Sequence, residues 1–480
     1  MTVLANGAEM GAANGVANGV AKTGAVDRAL TERIRAAVVE QLGRHPDRDR
    51  LEVADQRQLV RAWIEDQLGV ETRRRLGGGH PALRREEEAL VAQEVENLIW
   101  GLGRVQTLLD RRDVEDIHIV GAGRPILRLR DGTLVPAGSP VADSDEDLIA
   151  QLQHLAAHHG GAERAFSPAQ PLLNMQLPDG SRLAAIRDVV PHPTVTIRRH
   201  HLVDVTLDEL AARGMLSRGM VGFLRGVVAA RRSILVTGMP ASGKTTLLRA
   251  LAREVPATER VATLETEFEL GLHRLAATPP AWLAMECRPG STELDPATGR
   301  RAGEITLSDL LHHTLRMSVT RVIIGEVRGA EALPMLEAMN AGMPGSMCTL
   351  HAGSAADAME RLVTAAMKGA AAGWSDSFVT RLATQGIDYV VHLRHVPHHR
   401  WGPVRFIAEI AEVTDVTETG KVAMNRIFAA ATAHEQAGMD PRGRFVMAPQ
   451  LRWPFDEAGV DLSCLWSPDV DAWTNPGRRP

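Results

Sequence analysis

The segment Gly238-Met239-Pro240-Ala241-Ser242-Gly243-Lys244-Thr245 constrains this chain more than any other eight residues. It follows an apolar run, Ser233–Thr237, and leads straight into the helix-like Thr246-Leu247-Leu248-Arg249-Ala250-Leu251. A glycine-rich bend between a buried strand and a helix lets successive backbone N–H groups converge, and the helix N-terminus adds the positive end of its dipole. That arrangement suits phosphate. Lys244 is placed to reach β- and γ-phosphates and the Thr245 hydroxyl to hold Mg²⁺, while Gly238, Pro240, Ala241, Ser242, Gly243 and Thr246 complete the cradle. The chain has only four lysines (Lys22, Lys244, Lys368, Lys421) among its 54 basic residues, so a chance match to this pattern is remote.

Hydrolysis needs, besides the cradle, a carboxylate that orients or deprotonates water, commonly at the end of a neighbouring buried strand. Arg321-Val322-Ile323-Ile324-Gly325-Glu326 supplies one, and the strand Val261–Leu264 ends in a second, Glu265, with Glu267 and Glu269 close behind. A solvated loop acid is the plainer reading of Glu326, and a charged turn that of the acidic triplet.

Around this site the pattern reads as several regions. Residues 1–25, rich in Ala, Gly and Asn, bury too little to fold and read as a disordered tail. Apolar residues at helical spacing (Leu30, Ile34, Val38, Leu42; Leu59, Val60, Trp63, Ile64, Leu68; Leu90, Val91, Val95, Leu98, Ile99) predict a helical bundle over 26–110. Alternating runs at Asp116–Val120, Ile126–Leu129, Leu183–Ile186 and Thr194–Arg198, with a helix near 145–157, predict an α+β domain over 111–199. A linker at 200–205 precedes an α/β domain over 206–434, and 435–480 is an irregular extension.

The order of motifs resembles the type II/type IV secretion ATPases, with its nearest likeness in the CpaF-like branch serving tight-adherence (Flp) pili. The likeness is carried by the glycine-rich loop, Leu264-Glu265-Thr266-Glu267-Phe268-Glu269-Leu270, Arg321 to Gly329, and Gly345-Ser346-Met347-Cys348-Thr349-Leu350-His351-Ala352. Upstream, Leu177 to Arg182 and Thr194 to Arg198 match as well, so it covers about 90–430. The resemblance implies a RecA-like P-loop NTPase domain behind a small PAS-like α+β domain, ATP and Mg²⁺ as ligands, and a homohexameric ATPase. In that family Glu326 looks like the general base, Glu265 like the acidic-box residue near Mg²⁺ and water, and His351 like the residue linking hydrolysis to movement. Arg182, Arg198 and, more weakly, Arg328 match arginines that offset phosphate charge. Thr266 stands where the family usually has Asp, and Gly353 where it has Asn.

The implied work is cytoplasmic, at the inner face of the bacterial membrane, through inner-membrane platform proteins. The readings set beside it are an ATP-binding scaffold with little turnover and a conjugative type IV secretion motor. A formal net charge of -5 gives no support to direct nucleic-acid binding. No apolar run reaches the roughly 18 residues of a membrane span, and three widely spaced cysteines suggest neither a disulfide framework nor a zinc site.

Overall fold

The computed structural model describes residues 28–45, 51, 53–100, 103–159, 166–199, 204–291, 293–297, 299–370, 374–399, 402–430 and 440–474. The expected tail at 1–25 and the first four residues of the expected linker lie outside them. The chain forms two compact units, Met1–Thr107 and Leu108–Pro480.

Among its described residues the first unit contains three helices, α1 (Arg28–Arg44), α2 (Val53–Gly77) and α3 (Arg85–Trp100), and the start of a short α4 (Val105–Leu109). Their apolar stripes meet: Leu30, Ile34 and Val38 pack with Val60, Ile64 and Leu68 and with Val91 and Val95. The turn between α2 and α3 bends at Gly79, whose φ of 74° favours glycine. Leu90 stays exposed, one residue off the buried stripe.

The second unit opens with an antiparallel sheet in the order β3-β2-β1-β6-β5-β4. Its strands are β1 (Val114–Val120), β2 (Ile126–Leu129), β3 (Leu134–Pro136), β4 (Leu172–Gln176), β5 (Arg182–Ile186) and β6 (Thr194–Arg198), with helix α5 (Asp145–His159) between β3 and β4. Every second residue of β4, β5 and β6 is buried, as expected of a sheet with one covered face.

Helices α6 (Leu207–Ala212) and α7 (Arg218–Ala229) lead into a second sheet. Its strands in chain order are β7 (Ile234–Gly238), β8 (Val261–Glu265), β9 (Leu283–Glu286), β10 (Arg321–Ile324), β11 (Met347–Leu350), β12 (Tyr389–His399), β13 (Gly402–Val416), β14 (Val422–Ala429) and β15 (Arg444–Phe445). Across the sheet they run β15-β14-β13-β12-β7-β11-β10-β8-β9, parallel from β12 to β9 and antiparallel from β12 to β15. Strands β7, β8, β10 and β11 are buried along their whole length, because helices cover both faces. Alternate residues enter different cores. Ile234 and Val236 pack with α7 and with α8 (Lys244–Arg253). Leu235 packs with α9 (Leu307–Thr314), α10 (Ala332–Asn340), α11 (Ala355–Gly369) and α12 (Asp376–Gly386).

Two segments outside the motifs have structure, one of them the extension read as irregular in sequence. Within 276–303, β9 forms the sheet's outer strand, and Leu294 bridges Arg301 beyond it. Residues 440–474 add β15 to the sheet beside β14 and pack onto α7 through a short α13 (Trp453–Glu457) and a turn at Ser463–Trp466. Gly219, Gly222 and Gly226 give α7 a flat face for them: a Cβ there would lie 2.5 Å from Val470 Cγ2, 2.8 Å from Cys464 Cβ and 2.9 Å from Val460 Cγ1.

Candidate active site

Strand β7 ends at Gly238 and α8 begins after Gly243, so Met239 to Ser242 span the bend. The bend is tight. A Cβ on Gly238 (φ 151°) would lie 2.5 Å from Ser242 Oγ, and one on Gly243 (φ 97°) 2.9 Å from Met215 Cε. Ala241 also takes a positive φ of 62°, a conformation that costs a residue with a Cβ about 1–2 kcal/mol. Arg405 of β13 pins that turn by donating from Nε to Ala241 O at 2.8 Å.

Lys244 is buried, and its amine folds back on the loop. Nζ donates to Gly238 O at 3.1 Å and Met239 O at 3.3 Å, and lies 3.2 Å from His351 Nδ1. Burial pulls its pKa down to about 8, against the pull of Glu326 and Glu269. Burial and the Lys244 charge hold His351 below the usual histidine range, so the ring is neutral at pH 7. An ammonium only donates, so Nδ1 accepts and the ring proton sits on Nε2, 3.1 Å from Glu326 Oε1. That spacing is ion-pair range without hydrogen-bond alignment, and Oε1 keeps no hydrogen-bond partner. Glu326 Oε2 accepts from Arg328 Nη2 at 2.6 Å. Burial acts to raise the Glu326 pKa, but the Arg328 hydrogen bond and the charges of Arg328 and Lys244, joined by His351 once that ring is protonated at acid pH, outweigh it and keep it low.

The acidic segment is arranged differently from the sequence expectation. Thr245 Oγ1 donates to Glu269 Oε1 at 3.0 Å. Glu265, expected beside Mg²⁺ with Thr245, is 2% exposed and accepts through Oε2 from the N–H groups of Glu269 and Leu270, both at 2.7 Å. Its Oε1 has no partner, and burial pushes its pKa up to about 7.

Strand register explains the expected arginines. Pairing aligns Arg128, Asp116, Arg198 and Arg182 across β2, β1, β6 and β5, on one face of the first sheet. Arg198 Nε donates to Asp116 Oδ1 at 3.1 Å, and Arg128 holds the same carboxylate. Arg182 reaches the other sheet's acidic segment, with Nε 2.9 Å from Glu267 Oε2 and Nη1 3.8 Å from Glu269 Oε2. Each expected arginine therefore carries a carboxylate here, and all three line the cleft.

That cleft, about 570 Å³, runs between the two sheets over the glycine-rich bend. Ten arginines and Lys244 line it against four carboxylates, Glu115, Glu269, Glu326 and Asp440. In a chain of net negative charge such a concentration of cations fits a polyanion. Sequence reasoning missed Arg249, Arg405 and the Asp440–Arg442 pair: no local motif marks them, since they come from a buried helix position, a β-strand and the extension. Glu269 was visible as an acid but had no role. Among the described residues no cluster of three or more His, Cys, Asp or Glu side chains could hold a metal by itself.

A strand–loop–helix phosphate cradle, with acids at the ends of adjacent parallel strands, defines the P-loop class of α/β proteins. The profile of the type II/IV secretion system protein family matches residues 98–394, more than half of the chain, and the chain belongs to that family. It is similar to the conjugal transfer protein TrbB of Rhizobium radiobacter, 27% identical over 259 residues, 53% of this chain and 72% of that one. The type IV secretion system protein PtlH of Bordetella pertussis is 33% identical over 229 residues; the match spans 43% of this chain and 64% of PtlH. Among solved structures, the VirB11 ATPase of the Brucella suis type IV secretion system, crystallised with sulphate, is 25% identical. It covers 68% of this chain and 96% of its own at a TM-score of 0.34. No described helix is long and apolar enough to cross a membrane.

Proposed function

We propose that this chain binds ATP with Mg²⁺ over the glycine-rich bend and hydrolyses it to ADP and phosphate. The observation that carries this is the row Lys244–His351–Glu326, spaced 3.2 and 3.1 Å, which runs from the glycine-rich bend to the acid just beyond β10. The residues fit the ligands: the Gly238 and Gly243 positions have no room for a side chain, Ser242 Oγ is buried without a partner, and the cleft is strongly cationic. Lys244 would exchange loop carbonyls for phosphate oxygens, and Thr245 with the acidic segment would hold the metal. Mg²⁺, when bound, would neutralise phosphate charge.

Glu326, kept ionised at neutral pH, would orient water and accept its proton once Arg328 lets go. His351, donating from Nε2, would restrain the same carboxylate. Arg182, Arg198 and Arg328 would turn from their present carboxylates to the phosphates. In Glu326→Gln, nucleotide binding should persist while turnover falls about 10²-fold or more; equal turnover in both proteins removes the assigned base. Lys244→Ala should lose ATP binding, and a variant that still binds ATP normally overturns the reading.

On the scale of the cell, the reading is a homohexameric motor at the cytoplasmic face of the inner membrane, driving platform proteins of a tight-adherence (CpaF-like) pilus or a type II/IV-like secretion machine. The RecA-like and PAS-like domain assignments belong to this reading. A second reading, conjugative transfer, is favoured by the likeness to TrbB. Adjacent genes for small pilins and two membrane platform proteins would support the pilus, and a relaxase gene the conjugative system. Mass photometry with nucleotide should show six copies, and single-turnover kinetics should show ATP consumed; ATP intact for hours indicates a binding scaffold.

A further inference from the structure

We infer that Glu265 and Arg249 form a buried clamp that fixes the Glu269 carboxylate at Thr245, so that Glu269, and not Glu265, faces the nucleotide-bound divalent cation. This rests on the nucleotide reading above.

The clamp closes on one pair of peptide units from two sides. Glu265 Oε2 takes the N–H groups of Glu269 and Leu270. Arg249 donates from Nε to Leu270 O at 2.9 Å and from Nη2 to Glu269 O. All four polar main-chain groups of residues 269–270 are therefore held by two side chains, each 2% exposed. Both side chains stand on rigid elements, Glu265 at the end of β8 and Arg249 within α8. The end of β10 closes over Glu265, since a Cβ at Gly325 would lie 3.2 Å from its Cγ.

A charge placed this deep is costly unless it does something its apolar isostere cannot. Here the Glu265 carboxyl and the Arg249 guanidinium fix a segment that has no regular secondary structure of its own. The segment so fixed turns the Glu269 side chain to the P-loop hydroxyl, Thr245 Oγ1, that the nucleotide reading gives to the cation. Glu265 has less to offer a metal, because both in-plane lone pairs of Oε2 are taken by N–H groups and its unpartnered Oε1 is buried, whereas Glu269 reaches Thr245. Arg249 and Glu265 are thus positioning residues that act through Glu269.

The test uses the full chain with ADP, Mn²⁺ as the probe, and the electron paramagnetic resonance signal of free Mn²⁺ as the readout. Labelled ADP is titrated separately without metal. Glu269→Gln should weaken Mn²⁺ binding about tenfold or more while metal-free ADP binding changes by less than about threefold. Glu265→Gln keeps an oxygen that accepts both N–H groups, and its Mn²⁺ affinity should stay within about threefold of wild type. Arg249→Met should resemble Glu269→Gln, and Arg249→Lys should recover part of the loss. Should Arg249→Met fail to fold, the Gln pair decides alone. The clamp is overturned if Glu265→Gln loses as much Mn²⁺ affinity as Glu269→Gln, or if Glu269→Gln loses none. Wild type that takes up no ADP overturns the nucleotide reading, a result distinct from either.

Discussion

The amine of Lys244 is poised to titrate near the top of the physiological range. In the free protein its pKa is about 8, because burial disfavours the charge. A phosphate against it would stabilise the charged form, so the complex keeps a proton that the free site loses as pH rises. Below pH 8 both states are charged and affinity is flat; above it, metal-free ADP affinity should fall about tenfold per pH unit. A binding titration from pH 7.5 to 9.5 checks this, and a level profile would contradict it. Lys244, Glu326 and His351 were legible because each sits in an ordered motif. Glu269 was not, since its role comes from a clamp assembled by residues on two other elements. Arg182 and Arg198 were found by likeness, but that they share one ladder depends on strand register, which the sequence leaves open.

Strands β7, β8 and β10 were readable as apolar runs, and their burial on both faces is why. The docked extension was not readable, because its partner is a face of α7 defined by missing side chains. Gly222→Leu should therefore cost about 1–3 kcal/mol, as a side chain is driven into Cys464. A lower urea midpoint with faster proteolysis in 446–474 is expected, and an unchanged midpoint argues against that packing. Strand β12 carries a different liability. His392 is buried with Nδ1 unpartnered, and burial pulls its pKa from 6.5 to about 4. As pH falls from 6.5 towards 4 the unfolded chain takes up a proton that the folded chain refuses, so stability present above 6.5 is lost, by about 3 kcal/mol at most. Against wild type, His392→Gln should gain relative stability as pH drops through that window in chemical denaturation. A constant difference between the two proteins would discount the effect.

At the scale of the molecule, the second unit holds its two sheets together across the cleft by polar contacts. Arg182 bridges to Glu267, and Arg274 donates to Gln176 Oε1 at 2.7 Å and Pro178 O at 3.4 Å. Half-exposed pairs of this kind contribute about 0–1 kcal/mol, so they hold a position without locking it. Arg182→Ala should leave the melting temperature nearly unchanged, yet lower ATP turnover about tenfold or more if the guanidinium moves onto phosphate. Loss of stability without loss of turnover would make Arg182 a strut.

The groups nearest the glycine-rich bend already have partners: Lys244 rests on carbonyls, Arg328 on Glu326, Arg182 on Glu267, Thr245 on Glu269. An arriving polyanion therefore enters by swapping partners. Each new contact would dissolve an old one, so the net enthalpy would stay small, and each displaced carboxylate would be free to turn towards metal or water. Occupancy would thereby be converted into rearrangement, with no need for a separate sensor.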